Sequence, residues 1–419
     1  MKKKWMFLPV GAILIFTVFI LVSLSAPSNA MAKEDIIIGM AEPMTGAMAV
    51  IGQSSKRGQE FAVEKINASG GIKSLGGAKL VLLPGDTQGK PEIGMSEIER
   101  LIKNGAKVLT GCYQSGVTFA ATQVAEKNKV PFVISMSIAD GILERDFKYV
   151  FRTQYSSSIA ANKTIEYAVA LGKAYGNEVK SVGLIYENTL FGKSTADGLK
   201  IAIEKAGLKM VADISYPAKA LDLSSEVSKI KAANPDVLIP ISYVTDAILL
   251  TRTLAAMKVN FVAMVGSANS GFTDPAYIKS LGTLAEYTYN VVPRYDSKNP
   301  EAIKIAAAFK EKYGVYFDLT ATYGYVAVMV IADALERAKS TNSDKILKAL
   351  QETDITDPSI NILPQKGIKY GKVGKMTNQN IYADVIVEQI LDGELHPVYP
   401  PKYATKKPVW PVVKWSDRK

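Results

Sequence analysis

The chain has 419 residues, of which 48% are hydrophobic and 21% are charged. This composition is typical of a globular protein and excludes a disordered chain or one with many membrane spans. The length exceeds what one hydrophobic core usually organises, so two domains are expected. The formal net charge is +10, but the lysines beyond Lys2, Lys3 and Lys4 are scattered singly along the chain. That pattern indicates a solvated basic surface and no nucleic-acid partner.

Cysteine and histidine each occur once, as Cys112 and His396. An intramolecular disulfide and a metal site built from these two residue types are therefore impossible. His396 lies beside Pro397 in a tail rich in proline and tyrosine, which is a poor position for a general base. We expect His396 to be a surface residue and Cys112 to be a small buried apolar residue. The sequence thus predicts no enzyme, no cofactor and no metal.

The N-terminus has the three parts of an export signal. The cationic stretch Met1–Lys4 precedes an almost wholly apolar run, Trp5–Leu24, and small residues follow. Cleavage is expected near Ala30 or Ala32, because signal peptidase accepts only small side chains there. Residues 1–32 are therefore predicted to be a signal peptide, and the mature protein is predicted to be periplasmic. The apolar run is long enough that an uncleaved membrane anchor is the alternative.

From Asp35 onward, short apolar runs alternate with stretches of helical spacing. One series runs from the apolar segment Ile36–Met40 to Val130–Ile134, and a second runs from Ser181–Ile185 to Phe261–Val265. Such alternation predicts parallel, doubly wound sheets, and two series of similar size predict two lobes.

Three helical stretches without intervening strands follow the second series, and a strand is predicted over Ile381–Ile390 before an extended, proline-rich tail. Because a helical block must cover a sheet, we expect the chain to return to the first lobe. The expected lobe 1 comprises residues 33–153 plus 296–362, and the expected lobe 2 comprises residues 154–295 plus 363–419 with the C-terminal tail.

Open α/β sheets bind ligands beyond the carboxyl ends of their strands, where helix N-termini direct free N–H groups. Six loops occupy such positions, namely Glu42–Gly46, Gly111–Gly116, Ser135–Ala139, Tyr186–Gly192, Ser242–Thr245 and Gly266–Gly271. The first three carry hydroxyls suited to a carboxylate, and the others carry Phe191 and Tyr243, which suit an apolar body. Taken alone, Ser115 and Thr245 are equally typical of helix N-caps. Phe191 and Tyr243 are equally typical of side chains that pack between lobes. No phosphate loop or dinucleotide fingerprint is present.

Eight short motifs follow one another in a characteristic order along the chain. They are Pro43–Gly46, Gly70–Ile72, Gly85–Asp86, Val124–Asn128, Tyr149–Thr153, Asp274–Ala276, Ala321–Tyr325 and Ala404–Pro408. Their order and spacing resemble the type I periplasmic binding proteins of branched-chain amino-acid ABC uptake systems, from about Lys33 to the end of the chain. The resemblance implies an α/β fold of two Rossmann-like doubly wound lobes joined by a three-crossing hinge. It also implies a small-molecule ligand, hinge closure and an inner-membrane permease as partner; we expect a monomer.

The resemblance also implies a set of binding residues. Ser115 and Ser137 fall on carboxylate-binding positions, and Ala139 falls where amino-acid binders often carry threonine. Phe191 and Tyr243 fall where aromatics line the second lobe. Thr45 and Gly116, from the loops after the first and third strands, and Ala268, from the loop Gly266–Gly271, complete the expected set.

One position departs from the family pattern. The acid that would hold an α-ammonium group falls near Ala268, where no acid stands. An ammonium enclosed between lobes needs a carboxylate partner, because its hydration is otherwise lost without replacement. Glu187 and Asp246, in neighbouring loops, are candidates for that role.

Two classes of ligand therefore stay open. The first hypothesis is a branched-chain or other hydrophobic amino acid. The alternative is a ligand without an amine, such as an aromatic or aliphatic carboxylate or a neutral amide. A soluble sensor that hands its ligand to a separate receptor is a further alternative to transport.

Overall fold

The computed structural model describes residues 1–4 and 34–418 of the chain. The predicted signal peptide falls almost entirely outside these residues, so it stays a prediction. The chain first forms β1 (Ile36–Glu42), α1 (Ala49–Ala68), β2 (Leu80–Asp86), α2 (Pro91–Lys103), β3 (Val108–Gly111), α3 (Ser115–Lys127), β4 (Phe132–Ile134) and β5 (Val150–Arg152).

The second series begins with a long helix and repeats the alternation. It contains α4 (Ser157–Ala174), β6 (Ser181–Glu187), α5 (Leu190–Lys205), β7 (Lys209–Tyr216), α6 (Ser224–Ala233), β8 (Val237–Ile241), α7 (Val244–Ala256), β9 (Ala263–Ser267), α8 (Ser270–Thr273), α9 (Pro275–Leu281) and β10 (Tyr289–Val291). The remainder comprises α10 (Pro300–Tyr313), α11 (Leu319–Ala338), α12 (Ser343–Gln351), β11 (Asp354–Ile355), β12 (Ile368–Val373), β13 (Met376–Asn380), β14 (Val387–Leu391) and β15 (Glu394–Tyr399).

The strands form two sheets of matching topology. The first has the order β11-β12-β13-β5-β4-β3-β1-β2, and the second has the order β15-β14-β10-β9-β8-β6-β7. Within each sheet the strands of the α/β series are parallel. Strands from the C-terminal part extend one edge of each sheet. In the first sheet β13 is parallel to β5 and is followed by antiparallel β12 and β11, and in the second sheet β14 and β15 are antiparallel. The predicted pair of doubly wound lobes is confirmed. Burial on both faces explains the continuous apolar strands, such as β8, in which every residue is buried.

The chain passes between the sheets three times, at residues 153–156, 292–299 and 381–386. The third crossing corrects two expectations. Residues 368–380 belong to the first sheet and not to lobe 2. The strand predicted over Ile381–Ile390 begins only at Val387, because residues 381–386 form the crossing. The Asn380 side chain explains the interruption, since its Oδ1 accepts a hydrogen bond from the Tyr382 amide at 3.0 Å and so turns the chain out of β13.

Side chains tie β13 into the first sheet. The Arg152 guanidinium, fully buried in β5, donates to Gln379 Oε1 at 2.7 Å and to the Ala139 carbonyl at 2.9 Å. Asn380 Nδ2 donates to the Thr153 carbonyl at 2.8 Å, within the first crossing. The hinge and the first sheet therefore share one buried polar network.

Helices α1 and α11 pack face to face over the first sheet. A Cβ added to Gly58 would lie 2.0 Å from the Ala321 carbonyl oxygen, so only glycine allows this approach. The N-cap of α11 is Asp318, whose Oδ1 accepts from the Ala321 amide at 2.9 Å. Among the described helices α11 alone is long and apolar enough to cross a membrane, but 83% of its apolar window is buried, as in a core helix.

The C-terminal tail packs against lobe 2. After β15 the chain has little regular structure, yet Trp410 and Trp415 are both buried. Trp415 Nε1 donates to the Val259 carbonyl at 2.6 Å, and the Val412 amide donates to the Val262 carbonyl at 2.9 Å. Burial of the two indole rings and these hydrogen bonds therefore hold the tail against lobe 2.

Candidate functional site

A small cavity lies between loops of the two lobes. Loops after β3 and β4, the first crossing and the start of α11 form one side, and the start of α5 with the loops after β8 and β9 forms the other. We call this space the inner cavity. Its lining residues are Tyr113, Ser115, Met136, Ser137, Ile138, Tyr155, Phe191, Tyr243, Ala268, Ser270 and Leu319.

Lobe 1 supplies hydrogen-bond donors to the inner cavity. Helix α3 begins at Ser115, and its N-cap Gln114 makes no side-chain capping bond, so no side chain caps the amide groups of the first turn. The Ser115 hydroxyl makes only one long contact, 3.4 Å from the Ala139 amide, in which it accepts. Its proton is therefore available to a ligand, and a helix start with a free hydroxyl suits a carboxylate.

Ser137 lies in the same wall but its hydroxyl is already engaged. It donates to the Cys112 carbonyl at 2.7 Å and also contacts the hydroxyl of Thr118. The two serines thus differ in role: Ser115 faces the ligand space with a free donor, and Ser137 fixes the loop after β3.

The opposite wall is aromatic. The rings of Phe191 and Tyr243 have centroids 5.2 Å apart, and the Tyr113 ring, from lobe 1, lies 5.7 Å from that of Tyr243. Tyr155, from the first crossing, is 2% exposed and completes a cage of four aromatic residues. Such a surface favours an apolar or aromatic ligand body.

Ala268 lines the inner cavity in a left-handed backbone conformation, with φ of 49°. Its amide donates to the Val291 carbonyl at 3.2 Å, which holds the loop after β9 against β10. Among the described residues, no aspartate or glutamate lines the inner cavity. The position at which an acid would meet an ammonium group is therefore occupied by a methyl group.

The two candidate replacement acids are engaged elsewhere. Glu187 accepts from the Thr189 amide at 2.8 Å and from the Gly192 amide at 3.0 Å, at the start of α5. Asp246 accepts from the Tyr216 hydroxyl at 2.5 Å, and burial raises its pKa to about 7. Neither side chain lines the inner cavity, and burial also raises the pKa of Glu187.

Three residues of the expected set lie outside the inner cavity. Ala139 is fully buried next to Ser115, in a hydrophobic cluster behind the wall. Thr45 is exposed, and its hydroxyl donates to Asp86 Oδ2 at 2.5 Å, which joins the loops after β1 and β2. Gly116 is the second residue of α3, and a Cβ added there would meet nothing within 4 Å. The structure brings together Ser115, Ser137, Phe191, Tyr243 and Ala268.

Six lining residues were not among the expected set. Four of them, Tyr113, Met136, Ile138 and Ser270, belong to loops that the strand-end rule identified, although the rule did not identify the individual residues. Tyr155 comes from the first crossing, where the chain leaves lobe 1, and Leu319 comes from α11, after the chain has returned to lobe 1. Neither lies in one of the six loops that the strand-end rule identified.

The residues considered for catalysis lie in other surroundings. Cys112 is fully buried, and burial raises the pKa of its thiol well above the ordinary value. His396 lies in β15, 3.9 Å from Glu394, and burial lowers its pKa. In the described part of the chain, no group of three metal-ligating side chains is found.

This architecture is shared with known proteins. Residues 35–383 match the sequence profile of the periplasmic binding protein family. The chain belongs to that family. A relative in Brucella suis biovar 1, named Leu/Ile/Val-binding protein homolog 8, is 30% identical over 400 residues, which cover 92% of this chain and 96% of the relative. The chain thus belongs with solute-binding proteins, and this relative is a homolog of the Leu/Ile/Val-binding proteins.

Solved structures agree on the fold of this binding protein. A leucine-binding protein from Thermotoga maritima has a TM-score of 0.75 with 21% identity, and the match covers 88% of this chain and 99% of that one. A solute-binding protein from R. palustris, solved with benzoate, has a TM-score of 0.73 with 18% identity and coverage of 89% and 99%. At such identities the likeness concerns the type I fold alone, and membership of the family implies a periplasmic location.

Proposed function

We propose that this binding protein captures a small carboxylate that has an apolar or aromatic body and no α-ammonium group. The observation that carries the proposal is the composition of the inner cavity, which has four aromatic residues and, among the described residues, no acid. An enclosed ammonium without a counter-charge is strongly disfavoured, whereas an aromatic or branched aliphatic body fits the cage.

The carboxylate is assigned to lobe 1. The first-turn amides of α3 carry partial positive charge, and the Ser115 hydroxyl offers a free proton beside them. A carboxylate held there directs the rest of the solute toward Phe191 and Tyr243 of lobe 2. Since both lobes then contact the solute, binding favours the closed arrangement and shifts the equilibrium toward it.

The delivery step follows from the family. We infer that the closed, loaded protein is the form that an inner-membrane ABC permease recognises, and that the protein acts as a monomer in the periplasm. The R. palustris protein solved with benzoate shows that this fold accepts an aromatic acid without an amine.

A hydrophobic amino acid is the second candidate. The names of the Brucella relatives favour it, since they refer to leucine, isoleucine and valine. An amino acid would have to place its ammonium group within the inner cavity without a carboxylate from any described lining residue.

Thermal-shift measurements test the assignment. Benzoate, phenylacetate and branched aliphatic acids are screened beside hydrophobic amino acids, with wild-type protein and with Ser115→Ala. We expect acids without an amine to raise the Tm of the wild type, and the Ser115→Ala variant to lose about 1.5–3 kcal/mol of that stabilisation, the worth of a hydrogen bond to a charged group. Stabilisation by amino acids only, or an unchanged response in Ser115→Ala, would refute this assignment.

A further inference from the structure

A second, larger space adjoins the inner cavity. It opens toward solvent between α1, α9 and the segment before α11. Tyr113, Met136, Ser270 and Leu319 line both spaces, so the two are directly adjacent. We call the larger space the outer compartment. A solute longer than benzoate would extend into it.

The acidic side chains that line the outer compartment form hydrogen bonds within the fold. Asp318 accepts from Ser54 Oγ at 2.6 Å through Oδ2, and its Oδ1 caps α11. Asp274 Oδ1 accepts from the Ala276 amide at 2.7 Å, as the N-cap of α9. Burial raises the pKa of Asp274. Both carboxylates are held by bonds within the fold, and among the described residues neither forms an ion pair with Arg57 or Lys279.

The cations of the outer compartment have no partner among the described residues. Arg57 on α1 makes no ion pair or hydrogen bond there, and its Nε is buried without an acceptor. Lys279 on α9 lines the same space and is also unpaired within the described chain. A buried donor without an acceptor is rare in folded proteins, so the Arg57 guanidinium is a candidate to bind an anionic group of a ligand.

Two hydroxyl groups between the inner cavity and the outer compartment also lack hydrogen-bond partners among the described residues. Tyr113 is 6% exposed, and its hydroxyl has no hydrogen-bond partner among the described residues. The Ser270 hydroxyl, from lobe 2, lies close enough to affect the Tyr113 pKa, yet it too lacks a bond of proper geometry. Unsatisfied polar groups thus run from the inner cavity to Arg57.

We propose that the solute carries a second anionic group, a second carboxylate in the simplest case, held in the outer compartment by Arg57 of lobe 1 and Lys279 of lobe 2. The inference rests on the proposed function, because it assumes that the first carboxylate occupies the Ser115 end. A distal anion contacted by one cation from each lobe would add to the preference for the closed state.

Isothermal titration with two matched series tests the proposal. α,ω-Dicarboxylates from adipate to sebacate are compared with monocarboxylates of the same carbon number. We expect at least one diacid to bind about tenfold or more tightly than its monoacid partner. Arg57→Gln should lower diacid affinity about ten- to hundredfold, the worth of a charge-assisted hydrogen bond, and leave monoacid affinity nearly unchanged. Lys279→Gln should act in the same direction with a smaller effect, because that side chain is exposed.

Lys56→Gln is the matched control. Lys56 lies on the same helix as Arg57, pairs with Glu60 at 3.5 Å and does not line the compartment. It should leave both affinities unchanged. Diacids that bind no better than monoacids, or an Arg57→Gln effect equal on both series, would overturn the second anionic site and leave the proposed function intact. Absence of binding in both series, together with no thermal shift by benzoate, phenylacetate or branched aliphatic acids, would overturn the proposed function and this inference with it.

Discussion

Tyr113 of lobe 1 and Tyr243 of lobe 2 face each other across the cleft, with ring centroids 5.7 Å apart. The contact joins a loop after β3 to the start of α7, two segments that belong to different sheets. Both rings also line the inner cavity. The residues that bring the lobes together are therefore the residues that would enclose a solute, which couples closure to binding.

Removing the lobe 2 aromatics should weaken binding. Tyr243→Ala and Phe191→Ala each delete a buried ring from the cage, and we expect solute affinity to fall by about 2 kcal/mol or more, as for central interface residues. Titration calorimetry measures the loss, and circular dichroism checks that the variants stay folded. Tyr175→Ala, which removes an exposed ring from the end of α4, serves as the control. Unchanged affinity in both cage variants would count against the inner cavity as the binding site.

An acid placed at Ala268 should redirect specificity. The left-handed conformation at φ 49° is tolerated better by aspartate and asparagine than by most residues, so Ala268→Asp fits the backbone. Its carboxylate would repel an acid without an amine and pair with an α-ammonium group. We expect benzoate-like acids to bind at least about tenfold more weakly, and hydrophobic amino acids to gain affinity. The neutral Ala268→Asn variant separates charge from size, and equal effects of the two substitutions would rule out the electrostatic explanation.

The buried carboxyl of Glu42 should make stability depend on pH. It lies at the end of β1, accepts from Ser55 Oγ at 2.7 Å and Gln59 Nε2 at 3.0 Å, and has its pKa raised by burial from 4.5 to about 7. The folded protein therefore holds this proton over a pH range in which the unfolded chain has lost it. Stability should fall as the pH rises between about 4.5 and 7, by up to about 3 kcal/mol.

Glu42→Gln isolates this contribution. Thermal melts from pH 5 to pH 8 should show a decline for the wild type and a shallower decline for the variant. Some decline should persist, because Asp246 also has its pKa raised to about 7. Identical pH profiles for the two proteins would show that Glu42 does not hold a proton in the folded state.

Sequence patterns captured the sheets because buried parallel strands are continuous apolar runs. Strand β13 shows the limit, since its sequence from Met376 to Asn380 is mostly polar. It forms a strand because Gln379 Nε2 donates to the Gln154 carbonyl at 2.6 Å and Asn380 Nδ2 to the Thr153 carbonyl at 2.8 Å. Those partners lie more than 200 residues away in the chain, so no local pattern marks them.

The candidate site, like the fold, was only partly predictable from the sequence. The strand-end rule located the loops that form the inner cavity, but it could not separate Ser115 from Ser137. The distinction depends on the Cys112 carbonyl, which engages the Ser137 hydroxyl at 2.7 Å across 25 positions of sequence. Likewise, Glu187 and Asp246 were plausible partners for an ammonium until their bonds to Thr189 and Tyr216 were located.

The proposed function requires a solute that has a carboxylate and no α-ammonium group. Leucine and 4-methylpentanoate differ only in the ammonium group, so titrating both into the wild-type protein by calorimetry isolates its effect on binding. The structure predicts measurable binding of 4-methylpentanoate and at least about tenfold weaker binding of leucine, because no described acid lines the inner cavity. Tighter binding of leucine would contradict it.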